Sequence, residues 1–104
     1  MEQLEIGFKK IDAMNAKAFK VLGETIQRYS RLSTLKMDMT LCSQMRNVCV
    51  RCIGEFLAQI RTLKVLYLNF SYNPKITPDS LVLLFSKLAD KQGEPLEEFA
   101  CCSS

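Results

Sequence analysis

The residues of this sequence best suited to chemistry are its five cysteines. Cys49 and Cys52 stand three positions apart, a spacing at which two thiolates can bind Zn²⁺ or form a redox pair. A structural zinc site needs four ligands, so Cys42, Cys101 and Cys102 would have to be recruited. Free cysteines also pack as small apolar side chains. A single pair at this spacing favours packing, and we predict no metal and no cofactor.

The composition gives little support to other chemistry. The 104-residue chain has no histidine, which excludes the commonest acid–base group at neutral pH and a frequent metal ligand. The acidic residues show no paired arrangement of the kind that carboxylate catalysis uses. The four glycines are scattered rather than gathered into a phosphate-binding loop. We therefore predict that the protein is not an enzyme.

Repetition along the sequence predicts the elements that carry these residues. Segments 1–31, 32–62, 63–95 and 96–104 begin alike, and each continues with apolar residues at every second position. This period of two is typical of a strand with one buried face, so we predict four strands. The alternating residues are Leu4, Ile6 and Phe8; Leu35, Met37 and Met39; Leu66, Leu68 and Phe70; Phe99 and Cys101.

The second half of each of the first three segments changes to the spacing of a helix. Mostly apolar residues recur there three, one and four positions apart, which places them on one helical face. The predicted buried residues are Ala18, Val21, Leu22 and Ile26; Cys49, Cys52, Ile53 and Leu57; Ser80, Leu83, Leu84 and Leu88. The sequence thus predicts three helices that alternate with the strands in a single α/β domain over residues 1–104.

The strand pattern Leu63-Lys-Val-Leu66-Tyr-Leu68, its copies, and the helix over residues 16–26 resemble the leucine-rich repeat superfamily, in particular its ribonuclease-inhibitor-like long repeats. The resemblance covers essentially the whole chain. It implies an α/β solenoid of about three strand–helix repeats plus a final strand, with a parallel sheet on the concave side. It also implies a hydrogen-bonding residue where each strand turns away, at Lys9, Thr40 and Ser71. Lysine cannot accept hydrogen bonds there, so we expect an irregular first turn.

Strand positions between the buried ones define the predicted binding site. Their side chains lie on the face of the sheet away from the helices, and the resemblance implies that this concave face binds another protein. The predicted protein-binding residues are Glu5, Lys36, Asp38, Tyr67 and Asn69. Tyrosine is a common interface anchor, whereas Lys36 beside Glu5 also fits a cross-strand charge pair on a solvated face. We predict a non-enzymatic interaction scaffold or a small subunit of a larger assembly.

Uneven charge keeps two other functions open. Residues 13–78 hold ten basic and three acidic residues, a balance of +7, whereas residues 79–104 have a balance of −3. A basic middle segment is compatible with nucleic-acid binding, and equally with lysines and arginines that only solvate exposed helices. The third alternative, a GTPase regulator, is an analogy with the Ran GTPase-activating relatives, whose functional residues find no match here.

The termini and the cysteines indicate the protein's surroundings. The N-terminus lacks a secretory signal pattern, no apolar run is long enough to cross a membrane, and an odd number of cysteines is typical of reduced thiols. We predict a cytoplasmic, reducing location, with nuclear and organellar locations left open. Neither end carries the atypical polar repeat that closes a solenoid. We therefore expect a segment of a longer array, or a subunit whose ends a partner protein covers.

Overall fold

The computed structural model describes residues 3–12, 14–29, 31–42 and 44–102. Strands and helices alternate along these residues, which confirms the predicted α/β class. The strands are β1 (Gln3–Gly7), β2 (Thr34–Asp38), β3 (Val65–Asn69) and β4 (Glu98–Cys102). The helices are α1 (Ala16–Ile26), α2 (Asn47–Leu57) and α3 (Pro78–Ala89).

The four strands form one parallel sheet in the order β1-β2-β3-β4, so each strand pairs with the next one along the chain. Leu4 lies beside Leu35, Leu35 beside Leu66, and Leu66 beside Phe99. These partners are separated by the same distances in sequence as the starts of the repeated segments. The repeat therefore sets the strand register, and the helices supply the crossovers that parallel strands require.

The core lies between one face of the sheet and the three helices. Neighbouring helices contact each other in chain order, α1 with α2 and α2 with α3. The middle strands and the helices contribute side chains that are at most 2% exposed, among them Leu35, Met37, Leu66, Leu68, Phe19, Ile53 and Leu84. The predicted inward residues of β2 and β3 are buried in this core, and those of β1 pack against it half-buried. In β4 only Cys101 packs against the core, half-buried, and the prediction for Phe99 is wrong because that ring is 36% exposed at the end of the sheet.

One predicted row of core residues is wrong at two of its three positions. Val21 and Leu83 are 55% and 57% exposed, and Cys52 between them is only half-buried. The buried face of α1 is centred on Phe19, and a residue two positions later stands about 200° around the helix. Val21 and Leu83 therefore face the solvent, whereas Cys52 still packs partly against the core.

The turns after β1, β2 and β3 share one geometry. Lys10, Leu41 and Tyr72, which are 31 residues apart, adopt positive φ angles of 61°, 56° and 60°. The Lys10 amide donates to the Thr40 carbonyl at 2.9 Å, and the Leu41 amide donates to the Ser71 carbonyl at 3.1 Å. The first turn is thus as regular as the second, and the expectation of an irregular one was wrong.

The side chains that bond the backbone at these turns come two positions later than predicted. The Asn73 amide donates to the carbonyls of Met39 at 2.7 Å and Phe70 at 2.9 Å, and the Cys42 thiol donates to the Phe8 carbonyl at 2.9 Å. Phe70 is 1% exposed, so burial continues to the last residue of the predicted alternation, and the backbone-bonding side chain lies three residues beyond it.

Candidate functional site

The face of the sheet opposite the helices carries every predicted site residue. Its side chains form three rows that cross the strands, each named in the order β1 to β4. The rows are Gln3, Thr34, Val65 and Glu98; Glu5, Lys36, Tyr67 and Ala100; Gly7, Asp38, Asn69 and Cys102. The predicted neighbours Glu5, Lys36 and Tyr67 are therefore adjacent, and so are Asp38 and Asn69. We call this surface the open sheet face.

Tyr67 stands between a cation and an anion on this face. The Lys36 ammonium lies 5.3 Å from the centroid of the Tyr67 ring, at the distance of a cation–π contact. The Tyr67 hydroxyl donates to the Glu98 carboxylate, and this hydrogen bond raises the pKa of Tyr67 because ionisation would break it. Contacts to both neighbouring strands thus orient the ring, which lowers the entropy lost when a partner binds it.

Glu5 is not paired with Lys36. Among the described residues the one ion pair joins Lys64 and Glu94 at 3.5 Å. Lys36 instead contacts Tyr67, so the alternative of a cross-strand charge pair is not what the structure contains. Glu5 is exposed, and its carboxylate is accessible beside the Lys36–Tyr67 contact.

Asp38 and Asn69 accept hydrogen bonds from the turns that follow their strands. The Asp38 carboxylate accepts from the Thr40 amide at 3.0 Å and from the Thr40 hydroxyl at 2.6 Å. The Asn69 side-chain oxygen accepts in the same way from the Ser71 amide at 2.9 Å. The hydroxyl and amide of Thr40 both lower the pKa of Asp38 by stabilising its ionised form. These bonds fix the two side chains at the edge of the open sheet face.

Sequence reasoning missed Glu98. It compared residues directly opposite one another, and the direct partner of Tyr67 is Ala100. A tyrosine is long enough to reach a diagonal neighbour on the adjacent strand, which here is Glu98. The signal was present in the fourth segment, whose offset of 33 residues pairs Val65 with Glu98.

The cysteines do not assemble into a reactive or metal-binding site. All five are free, with Cys49 inside the core and Cys52 half-buried against it on the same helix. Burial raises the pKa of Cys42 and Cys52, and raises that of Cys101 to about 11. A reactive thiol needs the opposite shift. Across the described ranges, no group of three His, Cys, Asp or Glu side chains is placed to hold a metal ion.

The basic residues of the middle segment are dispersed. Lys36 lies on the open sheet face, Lys20 and Arg51 lie on helices, and Lys75 precedes α3. Lys64 forms an exposed ion pair with Glu94. These five basic residues lie on three different parts of the described structure, and nucleic-acid binding by the basic segment stays a prediction.

A second surface with exposed apolar groups lies at the β4 end of the sheet. A cavity of about 590 Å³ opens between α3 and β4, lined among others by Leu88, Leu96 and Cys101. At its mouth the rings of Phe85 and Phe99 meet edge-to-face with centroids 5.5 Å apart. Both rings remain accessible, Phe85 at 43% and Phe99 at 36%. Apolar side chains are therefore accessible to solvent at this end of the sheet.

Comparison of the chain with protein-family models, with curated proteins and with solved structures finds no match. Nor is there, in the described part of the chain, a helix with the length and apolar character needed to cross a membrane.

Proposed function

We propose that the protein is a non-enzymatic protein–protein interaction module that binds a partner through the open sheet face. The observation that carries this proposal is the arrangement at Tyr67, an aromatic ring placed between Lys36 and Glu98 before any partner arrives. Aromatic residues held in one orientation are typical anchors of protein interfaces. Glu5 supplies a further charge beside this anchor, and Asp38 and Asn69 border it.

The architecture that we propose for this module is a short leucine-rich repeat solenoid. Each strand pairs with its sequence neighbour, and each helix contacts its sequence neighbour. The turns with positive φ recur every 31 residues. Contacts limited to adjacent units are the defining property of repeat proteins. The resemblance noted in the sequence and this repeating geometry support the same interpretation.

The chemistry of the open sheet face favours a partner segment with one basic and one apolar contact residue. Glu5 and Glu98 are the exposed acidic groups on either side of the Lys36–Tyr67 contact. Gly7 and Ala100 leave room at the two outer strands. A partner apolar side chain placed on Tyr67 would be flanked by these carboxylates, within reach of a lysine or arginine. The free thiols are compatible with the reducing, cytoplasmic location that we also propose.

Site-specific photocrosslinking tests this proposal in cells that produce the protein. A photoreactive residue at Ala100, directly opposite Tyr67, should give a discrete adduct with another protein. The adduct should be lost in Tyr67→Ala and retained in Tyr67→Phe, which keeps the ring. A photoreactive residue at Arg28, after the end of α1, is the matched control. The proposal is wrong if position 100 gives no adduct, or if Tyr67→Ala leaves the adduct unchanged.

A further inference from the structure

The outer side of the helices carries an apolar row that the open sheet face does not use. Val21 and Leu83 in this row are exposed, and Cys52 between them is half-buried and also packs against the core. Val21, Cys52 and Leu83 hold equivalent positions on α1, α2 and α3, and together they cross the helical layer. We call them the apolar row. Val82, which is 60% exposed, widens the row on α3. Exposed apolar groups that adjoin one another, rather than standing singly, are typical of an interaction surface.

Charged residues of opposite sign border the apolar row. Lys20 and Arg51 precede it on α1 and α2, and we call them the basic row; Glu24 and Glu55 follow it by less than one turn, and we call them the acidic row. All four side chains are exposed, and within the described residues none belongs to an ion pair. Besides burial, which raises the pKa of Cys52 most, the charge of Glu55 raises this pKa and the charge of Lys20 lowers it. Both charges therefore lie near the thiol, as expected if the two rows surround it.

This order of basic, apolar and acidic rows is complementary to itself. A two-fold axis along the apolar row sets the helices of a second copy antiparallel to those of the first. The basic row of each copy then faces the acidic row of the other, Lys20 towards Glu24 and Arg51 towards Glu55. An axis along the helices would instead oppose like charges. Only the first arrangement gives a favourable isologous interface.

We propose that the protein forms a two-fold dimer through this helical surface, with the apolar row at its centre and the basic row of each copy on the acidic row of the other. Helices of this length and spacing present about 500 Å² per copy, or about 1,000 Å² in total, near the lower limit for a specific interface. The dimer is therefore concentration-dependent. It leaves the open sheet face free and does not depend on the function proposed above.

Oxidative cross-linking locates the interface, because the axis brings Cys52 of one copy beside Cys52 of the other. Reduced protein treated with diamide, which accepts the two electrons and two protons released, should give a disulfide-linked dimer. Cys52→Ser should abolish the dimer, and Cys102→Ser should not. Cys102 is the more exposed thiol and lies on the edge strand β4, so it is a matched control for random collision and for edge-to-edge pairing. A dimer lost in Cys102→Ser but kept in Cys52→Ser overturns the proposal.

Charge exchange tests the pairing of the rows without any cross-link. The double variant K20E/R51E makes both rows acidic, and E24K/E55K makes both rows basic. Each alone should raise the dimer dissociation constant at least about tenfold, since four inter-copy charge pairs turn repulsive. An equimolar mixture should recover a heterodimer, measured by light scattering or native mass spectrometry. Thermal melts followed by circular dichroism check that both variants fold.

Two further results would overturn the proposal. One is a wild-type protein that sediments as a monomer up to millimolar concentration. The other is a pair of folded charge variants that each dimerise as well as the wild type, since the rows would then have no role in association. The photocrosslinking experiment at Ala100 probes the open sheet face, whereas the dimer experiments probe the helical surface. Failure of one proposal is therefore distinguishable from failure of the other.

Discussion

The middle and the two ends of the sheet follow one sequence pattern but differ in how deeply they are buried. Leu35 in β2 and Leu66 in β3 are fully buried, whereas their counterparts are half-buried at Leu4 in β1 and 36% exposed at Phe99 in β4. Every inward side chain of a middle strand has a neighbouring strand on each side, and an end strand has one. The sequence pattern thus determines which way a side chain points, and its neighbours determine how well it is covered.

The largest expected difference between middle and end is in stability. Leu66→Ala should lower the free energy of unfolding by about 2–5 kcal/mol, because the cavity it leaves is enclosed. Phe99→Ala removes a larger side chain but should cost only about 1 kcal/mol, since the ring is partly solvated already. Urea unfolding followed by circular dichroism measures both. Equal losses would mean that the β4 end is covered in solution as well as the middle is.

Three equivalent helix positions show that helix packing also differs between the middle and the end of the protein. They hold Gly23, Gly54 and, in the end helix, Phe85. A Cβ at Gly23 would lie 2.6 Å from Cγ of Phe56, whereas one at Gly54 would lie 3.1 Å from the flexible end of Leu84. On α1 and α2 a side chain of the next helix packs against the glycine. On α3 the equivalent position holds Phe85, whose ring contacts Phe99 instead.

Alanine substitutions should separate the two glycines. Gly23→Ala should destabilise the protein by about 1–3 kcal/mol through overpacking against Phe56. Gly54→Ala should change stability by less than about 1 kcal/mol, because the helix propensity of alanine offsets the small adjustment of Leu84. Thermal melts compare the variants. Adding Phe56→Ala to Gly23→Ala removes the ring and Cγ that the new Cβ meets, so the combined loss should be smaller than the sum of the two single losses. Strictly additive losses would show that Phe56 is not the obstacle.

The turns weaken towards the β1 end, and substitutions should follow that order. Asn73 donates to three carbonyls after β3, Cys42 donates its thiol to the Phe8 carbonyl after β2, and the equivalent Ile11 has no polar side-chain atom. Asn73→Ala should cost about 1–3 kcal/mol and Cys42→Ala about 1 kcal/mol, because buried carbonyls lose their donors. Ile11→Ala, partly exposed, is the control. A cost for Cys42→Ala above that for Asn73→Ala would reverse the proposed order.

Side-chain periodicity was enough to predict the strands and helices. It was not enough to predict the burial or the contacts of particular residues. Strand and helix differ in period, so the repeat predicts both, together with the register that joins Leu4, Leu35 and Leu66. The repeat wrongly predicted that Val21 is buried, because the apolar character of a helical residue does not by itself indicate whether the residue faces the sheet or the solvent. The contact between Tyr67 and Glu98 depends on side-chain length and diagonal position, which a comparison of aligned columns does not include.

The smallest expected effect concerns acid, and it again separates a middle strand from an end strand. Asp38 in β2 accepts hydrogen bonds from Thr40, while the equivalent residue of β1 is Gly7, which has no acceptor. Because these bonds lower the pKa of Asp38 below its ordinary value of 3.8, its contribution to stability is present above that pH. The contribution is lost as the pH falls through the lowered pKa of the folded state.

Asp38→Asn keeps an acceptor oxygen but removes the titrating charge, so its stability should fall less steeply than that of the wild type below pH about 4. Asn69→Asp, at the equivalent position of β3, introduces a carboxylate beside Ser71 and should gain the acid sensitivity that Asp38→Asn loses. Urea midpoints measured at neutral and acid pH give both slopes. Parallel slopes for the wild type and Asp38→Asn would mean that the charge of Asp38 does not stabilise the turn after β2.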